Sequence, residues 1–169
     1  LARYFNVFDL LGPSSAEKIY SQCNELLGKE GLSSRKLIKQ SNVKVICTTD
    51  DPCDTLEHHE KINTDSTIEC KVIPAWRPDK AMMPEKGKDF ISWVESLSEA
   101  SGVKINGFDD FTDALQKRHQ FFHEKGCRLS DHGIETFYAE NYKEKEIHSI
   151  FKKAISGTDL DEKEILKFK

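Results

Sequence analysis

Apolar positions recur at helical spacing along most of the chain, and three short β-branched runs interrupt them. Gly12-Pro13-Ser14-Ser15 breaks the pattern near the start. Glu17 stands three residues beyond Ser14, the spacing of a capping box, which predicts a helix opening at Ser14. Ile19, Cys23, Leu26 and Leu27 supply its apolar face, and Gly31 its end. Ser33-Ser34 predicts a second helix start, with Leu37 and Ile38 pointing inward.

The run Val43-Lys44-Val45-Ile46-Cys47-Thr48-Thr49 stops at Asp50-Asp51-Pro52 and reads as a strand entering a polar loop. Thr55 to Ile62 is helix-like. Thr67 to Pro74 predicts a second strand, which runs into Trp76-Arg77-Pro78-Asp79-Lys80. Helices follow over Phe90–Ala100 and Phe108–Gly126. Phe111, Leu115 and Phe122 line the core side of the longer one, and Gly126 stops it. Cys127-Arg128-Leu129-Ser130 predicts a third strand, ending at Asp131-His132-Gly133. Ile147, Ile150, Phe151 and Ala154 give one face of a helix over Glu146–Ile155. A last helix opens at Thr158, with Asp161 in the capping-box position. Strands separated by helices need crossover connections, which favour a parallel sheet with helices outside it. Residues 1–169 therefore read as one segment, with a helical insertion over 1–42 and strand–helix units over 43–169.

Composition narrows the picture. Charged residues make up 32% of the chain with a net charge of −4, and the lysines alternate with glutamates, as in Lys143-Glu144-Lys145-Glu146. This excludes a basic nucleic-acid surface and describes solvated helix faces. No apolar stretch nears the roughly 18 residues a membrane span needs. The five cysteines are odd in number and form no C-x-x-C pair, which fits a reducing, cytoplasmic compartment and structural roles for all five. Cys47 and Cys127, in or beside strands, are expected to be buried. The chain opens on Leu1, not Met, so an internal segment is expected.

All three strands end in chemically capable clusters: Thr48 to Pro52, Pro74 to Lys80, and Ser130-Asp131-His132. In parallel α/β proteins the active site lies at that face. Each residue also has a plainer reading. Asp50 or Asp51 either caps the next helix, with Pro52 at its first turn, or holds an arginine or lysine from a neighbouring loop. Trp76 either touches a ligand or plugs the mouth of the fold. Arg77 and Asp79 either clamp each other or leave Arg77 to receive a carboxylate in bidentate fashion. His132, directly after a strand, suits acid–base or ligand work. His58 and His59 lack the spacing of a zinc helix, and at most one faces the site. His119 and His123 stand at i, i+4 on a helix expected to lie remote from the strand ends. No dinucleotide or phosphate loop and no nucleophile elbow occurs.

These same blocks carry a resemblance. Tyr4 to Leu11, Cys47-Thr48-Thr49-Asp50-Asp51-Pro52 with Leu56-Glu57-His58-His59, Pro74-Ala75-Trp76-Arg77-Pro78-Asp79-Lys80 and Gly126 to His132 closely resemble uronate (glucuronate) isomerases, in order and spacing, over essentially all 169 residues. The resemblance implies a distorted (β/α)₈ TIM-like barrel of the amidohydrolase superfamily. It implies interconversion of D-glucuronate with D-fructuronate, and of D-galacturonate with D-tagaturonate, through a cis-enediol, with a divalent metal, often zinc, at the barrel mouth. It implies catalytic work for His132, Asp79, Asp50 and Asp51, uronate binding by Arg77 and Trp76, and metal contact by His132. The family's His-x-His metal pair does not occur here, and three strands cannot close such a barrel. The segment by itself is expected to hold metal weakly and to be inactive, and exposed sheet edges predict a homo-oligomer. The alternatives are a hydrolase of the same superfamily, such as a lactonase or deaminase, or a helical assembly module without chemistry.

Overall fold

The structure is a computed structural model describing residues 1–29, 32–134 and 136–169. The chain divides into two compact units. The first comprises residues 1–46 and 63–71, the second 47–62 and 72–169. Among the described residues no helix is long and apolar enough to cross a membrane.

The first unit carries α1 (Ala2–Phe5), α2 (Ala16–Leu27) and α3 (Ser34–Gln40), and in it Val7, Ile19 and Cys70 are buried. Ser15, not Ser14, is the N-cap of α2. Its hydroxyl does not cap the helix but donates to the Leu10 carbonyl and accepts from the Gly12 amide, so the expected capping box gives way to a turn. Of the predicted apolar face only Ile19 is buried, and Leu27 is exposed. The helix closes on Gly28; Gly31, expected to end it, lies outside the described residues. α3 starts as expected, with the Ser33 hydroxyl accepting from the Lys36 amide.

Two short strands, β1 (Val45–Cys47) and β2 (Lys71–Ile73), form a small sheet. Both are shorter than the apolar runs suggest. Thr67 is held in a turn by its amide and hydroxyl, which both donate to Asp65, and this competes with extension of β2. The third predicted strand reduces to a single parallel bridge between Trp76 and Ser130. The fold is thus α/β and helix-rich, with a small parallel sheet. Cys47 is exposed, against the expectation of burial, while Cys127 is buried.

The second unit holds α4 (Glu57–Asn63) and most of the remaining helices: α5 (Lys88–Ser101), α6 (Phe108–Glu124), α7 (Glu144–Ile155) and α8 (Glu162–Phe168). Phe90, Trp93, Leu97, Phe111, Phe151 and Ala154 form its larger core, with the Phe111 and Phe151 rings 4.7 Å apart. Each such ring withdrawn from water contributes about 1.5–3 kcal/mol, so this cluster anchors the helices to one another. A smaller core of Leu56, Trp76, Phe122 and Cys127 lies beneath the strand ends. Gly126, at φ +99°, turns the chain out of α6 into the segment carrying Ser130 and His132. α8 starts later than expected. Asp161 is its N-cap and not its third residue, accepting from the Glu164 amide while Glu164 reaches back to the Asp161 amide.

Candidate active site

Backbone register assembles the three strand ends in the second unit. The Asp50 amide donates to the Ala75 carbonyl and the Arg77 amide to the Asp50 carbonyl; the Trp76 amide donates to Leu129 and the Asp131 amide to Trp76. Asp50, Trp76 and Ser130 therefore lie side by side as parallel bridges, with Trp76 in the middle. The predicted clusters follow those residues and so converge.

On one side of this row, Arg77 Nε donates to Asp79 Oδ2 at 3.0 Å, and Arg77 Nη1 lies 3.8 Å from Asp131 Oδ2. Asp131 also accepts from the Thr49 hydroxyl. Asp79 Oδ1 meets His132 Nδ1 at 3.0 Å, and Asp79 Oδ2 accepts from the Gly133 amide at 2.7 Å. Burial works to raise the Asp79 carboxyl, but hydrogen bonds from the Gly133 amide, His132 and Arg77 outweigh it and hold the pKa below the ordinary carboxylate range. An ionised Asp79 can only accept, so His132 Nδ1 is the donor. A neutral imidazole then carries its free lone pair on Nε2. A Cβ at 133 would stand 2.7 Å from Arg77 Nη2, so glycine there lets the guanidinium end sit where it does.

Asp51 binds differently. It accepts from the Cys53 amide and from Trp93 Nε1, both at 2.9 Å, and pairs with Lys80 at 3.1 Å. Here too burial pushes the carboxyl up and these three donors pull it below its usual range. Asp51 caps a turn, not a helix: α4 starts six residues later, and the turn is closed reciprocally by Asp54 accepting from the Asp51 amide. The expectation that one aspartate holds a neighbouring cation is met through Lys80. Cys53, beside this carboxylate, has its thiol pushed up to about 12 by burial and by the Asp51 charge, which disfavours the thiolate.

Asp50 is buried, and its Oδ2 accepts from the Thr48 hydroxyl at 2.7 Å and the Ala75 amide at 3.1 Å. Trp76 is buried as well, with Phe122 and His119 edge-on at 5.1 and 5.2 Å. Its ring packs as a plug rather than offering a face. His119 is therefore not remote from the strand ends, as the helix position suggested, because α6 runs directly over Trp76. His123 instead lies by Arg128.

Arg118 and Gly133 escaped the sequence reading, which allowed at most one of His58 and His59 to face the site. His59 is buried and bonded to Thr48, while His58 is exposed, so one of the pair does turn inward. Arg118 is 7% exposed, and its guanidinium donates to the carbonyls of Pro52, Asp54 and Ala100. The signal for it was present: residues 111, 114, 118 and 122 form one helical stripe on which an arginine is the odd member. Gly133 had no signal beyond its adjacency to His132.

Among the described residues no three of His, Cys, Asp and Glu gather as a metal site would require. His132 with Asp79 is one oriented imidazole, not a donor set. These residues alone do not fit a divalent ion.

Parallel strand ends that carry the buried Asp50 carboxylate and an arginine–carboxylate–imidazole rim define an α/β protein whose chemically capable side chains gather at the strand C-termini. The chain belongs to the glucuronate isomerase family, whose model matches residues 1–169. It is 51% identical over 165 residues to the uronate isomerase of Phocaeicola vulgatus and 52% identical over 165 residues to that of Bacteroides thetaiotaomicron, in each case 98% of this chain and 35% of the relative. Among solved structures it is similar to uronate isomerase from Thermotoga maritima, with a TM-score of 0.87, 33% identity, and coverage of 99% of this chain and 36% of that one. Glucuronate isomerase from Caulobacter crescentus, at 24% identity and a TM-score of 0.83 over 97% of this chain and 34% of that one, shares the fold. The chain thus spans about a third of the length of the curated relatives it matches.

Proposed function

We propose that this chain is a segment of a uronate isomerase that converts D-glucuronate to D-fructuronate, and D-galacturonate to D-tagaturonate. In this reading residues 43–169 supply strand–helix units of a (β/α)₈ barrel, and residues 1–42 a helical insertion. The observation that carries it is the Arg77–Asp79–His132 triad at the strand ends of a chain matched to the family over its whole length.

Arg77, a planar cation at the rim, receives the uronate carboxylate. Its pairing with Asp79 and Asp131 fixes its direction while leaving the side chain 37% exposed. His132 Nε2 takes the C2 proton of the open-chain aldose, leaving a cis-enediolate charged at O1; the O2 proton passes to O1, and His132 returns its proton to C1 as O2 becomes the ketose carbonyl. Asp79 remains a carboxylate throughout, holds the imidazole tautomer and stabilises its cation. Asp50 orients sugar hydroxyls, and Asp51 acts through Lys80. Trp76 forms the floor beneath them. The substrate is a small-molecule anion, and pairing at exposed sheet edges makes the assembly a homo-oligomer.

The test uses the full-length protein that contains this segment. D-Glucuronate should yield a ketouronate, and Arg77→Ala and His132→Ala should each lower kcat/KM more than about tenfold, equivalent to about 1.4 kcal/mol, with folding intact. Hydrolysis of lactones without ketouronate formation would transfer the protein to the hydrolases. Unchanged turnover in both variants would leave only an assembly role.

A further inference from the structure

His59 is the one described residue with a buried side-chain nitrogen that finds no partner: its Nδ1 bonds to nothing. On the other side of the ring, Nε2 lies 2.7 Å from the Thr48 hydroxyl, which lies 2.7 Å from Asp50 Oδ2. Proton bookkeeping orders this chain. The hydroxyl has one hydrogen and two acceptors beside it, Asp50 Oδ2 at 2.7 Å and the Ile73 carbonyl at 3.3 Å, so Thr48 donates to the nearer and charged Asp50. His59 must then donate Nε2–H to Thr48. The buried unpartnered Nδ1 is a lone pair, which costs less to leave unmet than a buried N–H. The opposite tautomer would orphan a donor and leave the 2.7 Å Thr48–Asp50 contact without a hydrogen.

Both bonds to the Asp50 side chain fall on Oδ2. Oδ1 receives none among the described residues, and His59 Nε2 lies 3.8 Å from it. The chain holds one oxygen of the carboxylate and leaves the other without a hydrogen-bond donor among the described residues. The site that aims His59 is itself costly. Leu56, which opens α4 by accepting from the His59 and Glu60 amides, adopts φ +59° in the left-handed region. That conformation is disfavoured for a residue with a Cβ. It is held there because the Leu56 side chain is packed against the Trp76–Phe122 core.

We propose that His59 is a positioning residue for uronate isomerisation, acting through the Thr48 hydroxyl to hold Asp50 with its Oδ1 turned to a substrate hydroxyl. This rests on the isomerase reading above. A substrate hydroxyl donating to a fixed Oδ1 is oriented for reaction, whereas a carboxylate free to rotate loses that alignment, and the loss falls on kcat.

The experiment is steady-state isomerisation of D-glucuronate by the full-length enzyme and five variants, with melting temperatures measured alongside. Thr48→Val keeps the shape and removes the relay. It should lower kcat about tenfold with KM changed less than about twofold, the pattern of a lost orienting contact. Thr48→Ser restores the hydroxyl and should restore kcat. His59→Leu should match Thr48→Val, and His59→Gln, whose amide still donates, should recover most of the loss. The Thr48→Val/His59→Leu double variant should be no worse than Thr48→Val, because both cut the same chain.

Full kcat in Thr48→Val, failure of Thr48→Ser to rescue, or losses that multiply in the double variant would each overturn the relay. If His59→Leu fails to fold, the Thr48→Val and Thr48→Ser pair still decides. An unsubstituted enzyme that makes no ketouronate defeats the isomerase reading and this inference together. An active enzyme with a silent Thr48→Val defeats this inference alone.

Discussion

Replacing Arg118 should release the loop that presents Asp50 and Asp51. The guanidinium is buried, forms no ion pair among the described residues, and directs its donors to three backbone carbonyls: Pro52 through Nε at 2.7 Å, Asp54 through Nη2 at 2.7 Å and Ala100 through Nη1 at 3.2 Å. It also stacks over Phe121 at 4.1 Å. Hydrogen bonds from a charged donor contribute about 1.5–3 kcal/mol each, which for three sums to roughly 4.5–9 kcal/mol. Desolvating the guanidinium offsets several kcal/mol of that. The net loss on Arg118→Met is therefore about 3 kcal/mol, including the carbonyls left unpaired. Arg118→Lys keeps the charge but not the planar fork, so it cannot reproduce all three contacts and should fall between. Native-state hydrogen exchange in the full-length protein reads this locally, at the Asp50, Cys53 and Asp54 amides, which bond to Ala75, to the Asp51 side chain and to the Asp51 carbonyl. A loss of about 3 kcal/mol corresponds to an exchange rate raised on the order of 100-fold. Unchanged protection at these amides in Arg118→Met would refute the role assigned to the guanidinium.

Three further outcomes follow from the site. Asp51 and Asp79 both have depressed pKa values, so the stability they contribute is present above the unfolded carboxyl value near about 4 and is lost as pH falls through the lower folded values. Asp51→Asn and Asp79→Asn should flatten the fall of melting temperature below that pH, and curves parallel to the unsubstituted protein would contradict it. Gly133→Ala should push the Arg77 guanidinium aside, since the added Cβ falls 2.7 Å from Nη2. KM for glucuronate should rise by about tenfold, with less than about 1 kcal/mol lost in urea unfolding, because the displaced group is a flexible side-chain end. Cys53, whose thiol is pushed up to about 12, should resist iodoacetamide at about pH 8 until the protein unfolds, as peptide mass mapping would reveal.

What could be read from the amino-acid order was local. The periodic helices Lys88–Ser101, Phe108–Glu124 and Glu144–Ile155 stand where their apolar spacing put them, because a 3.6-residue stripe needs only its own residues to be recognised. The polar clusters after Cys47, Ile73 and Cys127 were equally legible, and the family blocks with them. Capping was less so: at Ser15 and Asp161 the register moved by one or three residues, because side-chain hydrogen bonds to nearby backbone compete with helix starts.

Tertiary structure alone decided the rest. That Cys127–Ser130 contributes a single bridge rather than a strand depends on what Trp76 and Leu129 exchange across the fold. That His59 turns inward while His58 does not depends on Leu56 being driven into a left-handed conformation by its packing. That Arg118 serves three carbonyls from residues 18 to 66 positions away is invisible in any window of sequence. Each is a contact between residues distant along the chain, and periodicity carries no information about which distant residue will be met. Sequence order named the groups capable of chemistry, and folding chose which of them face one another.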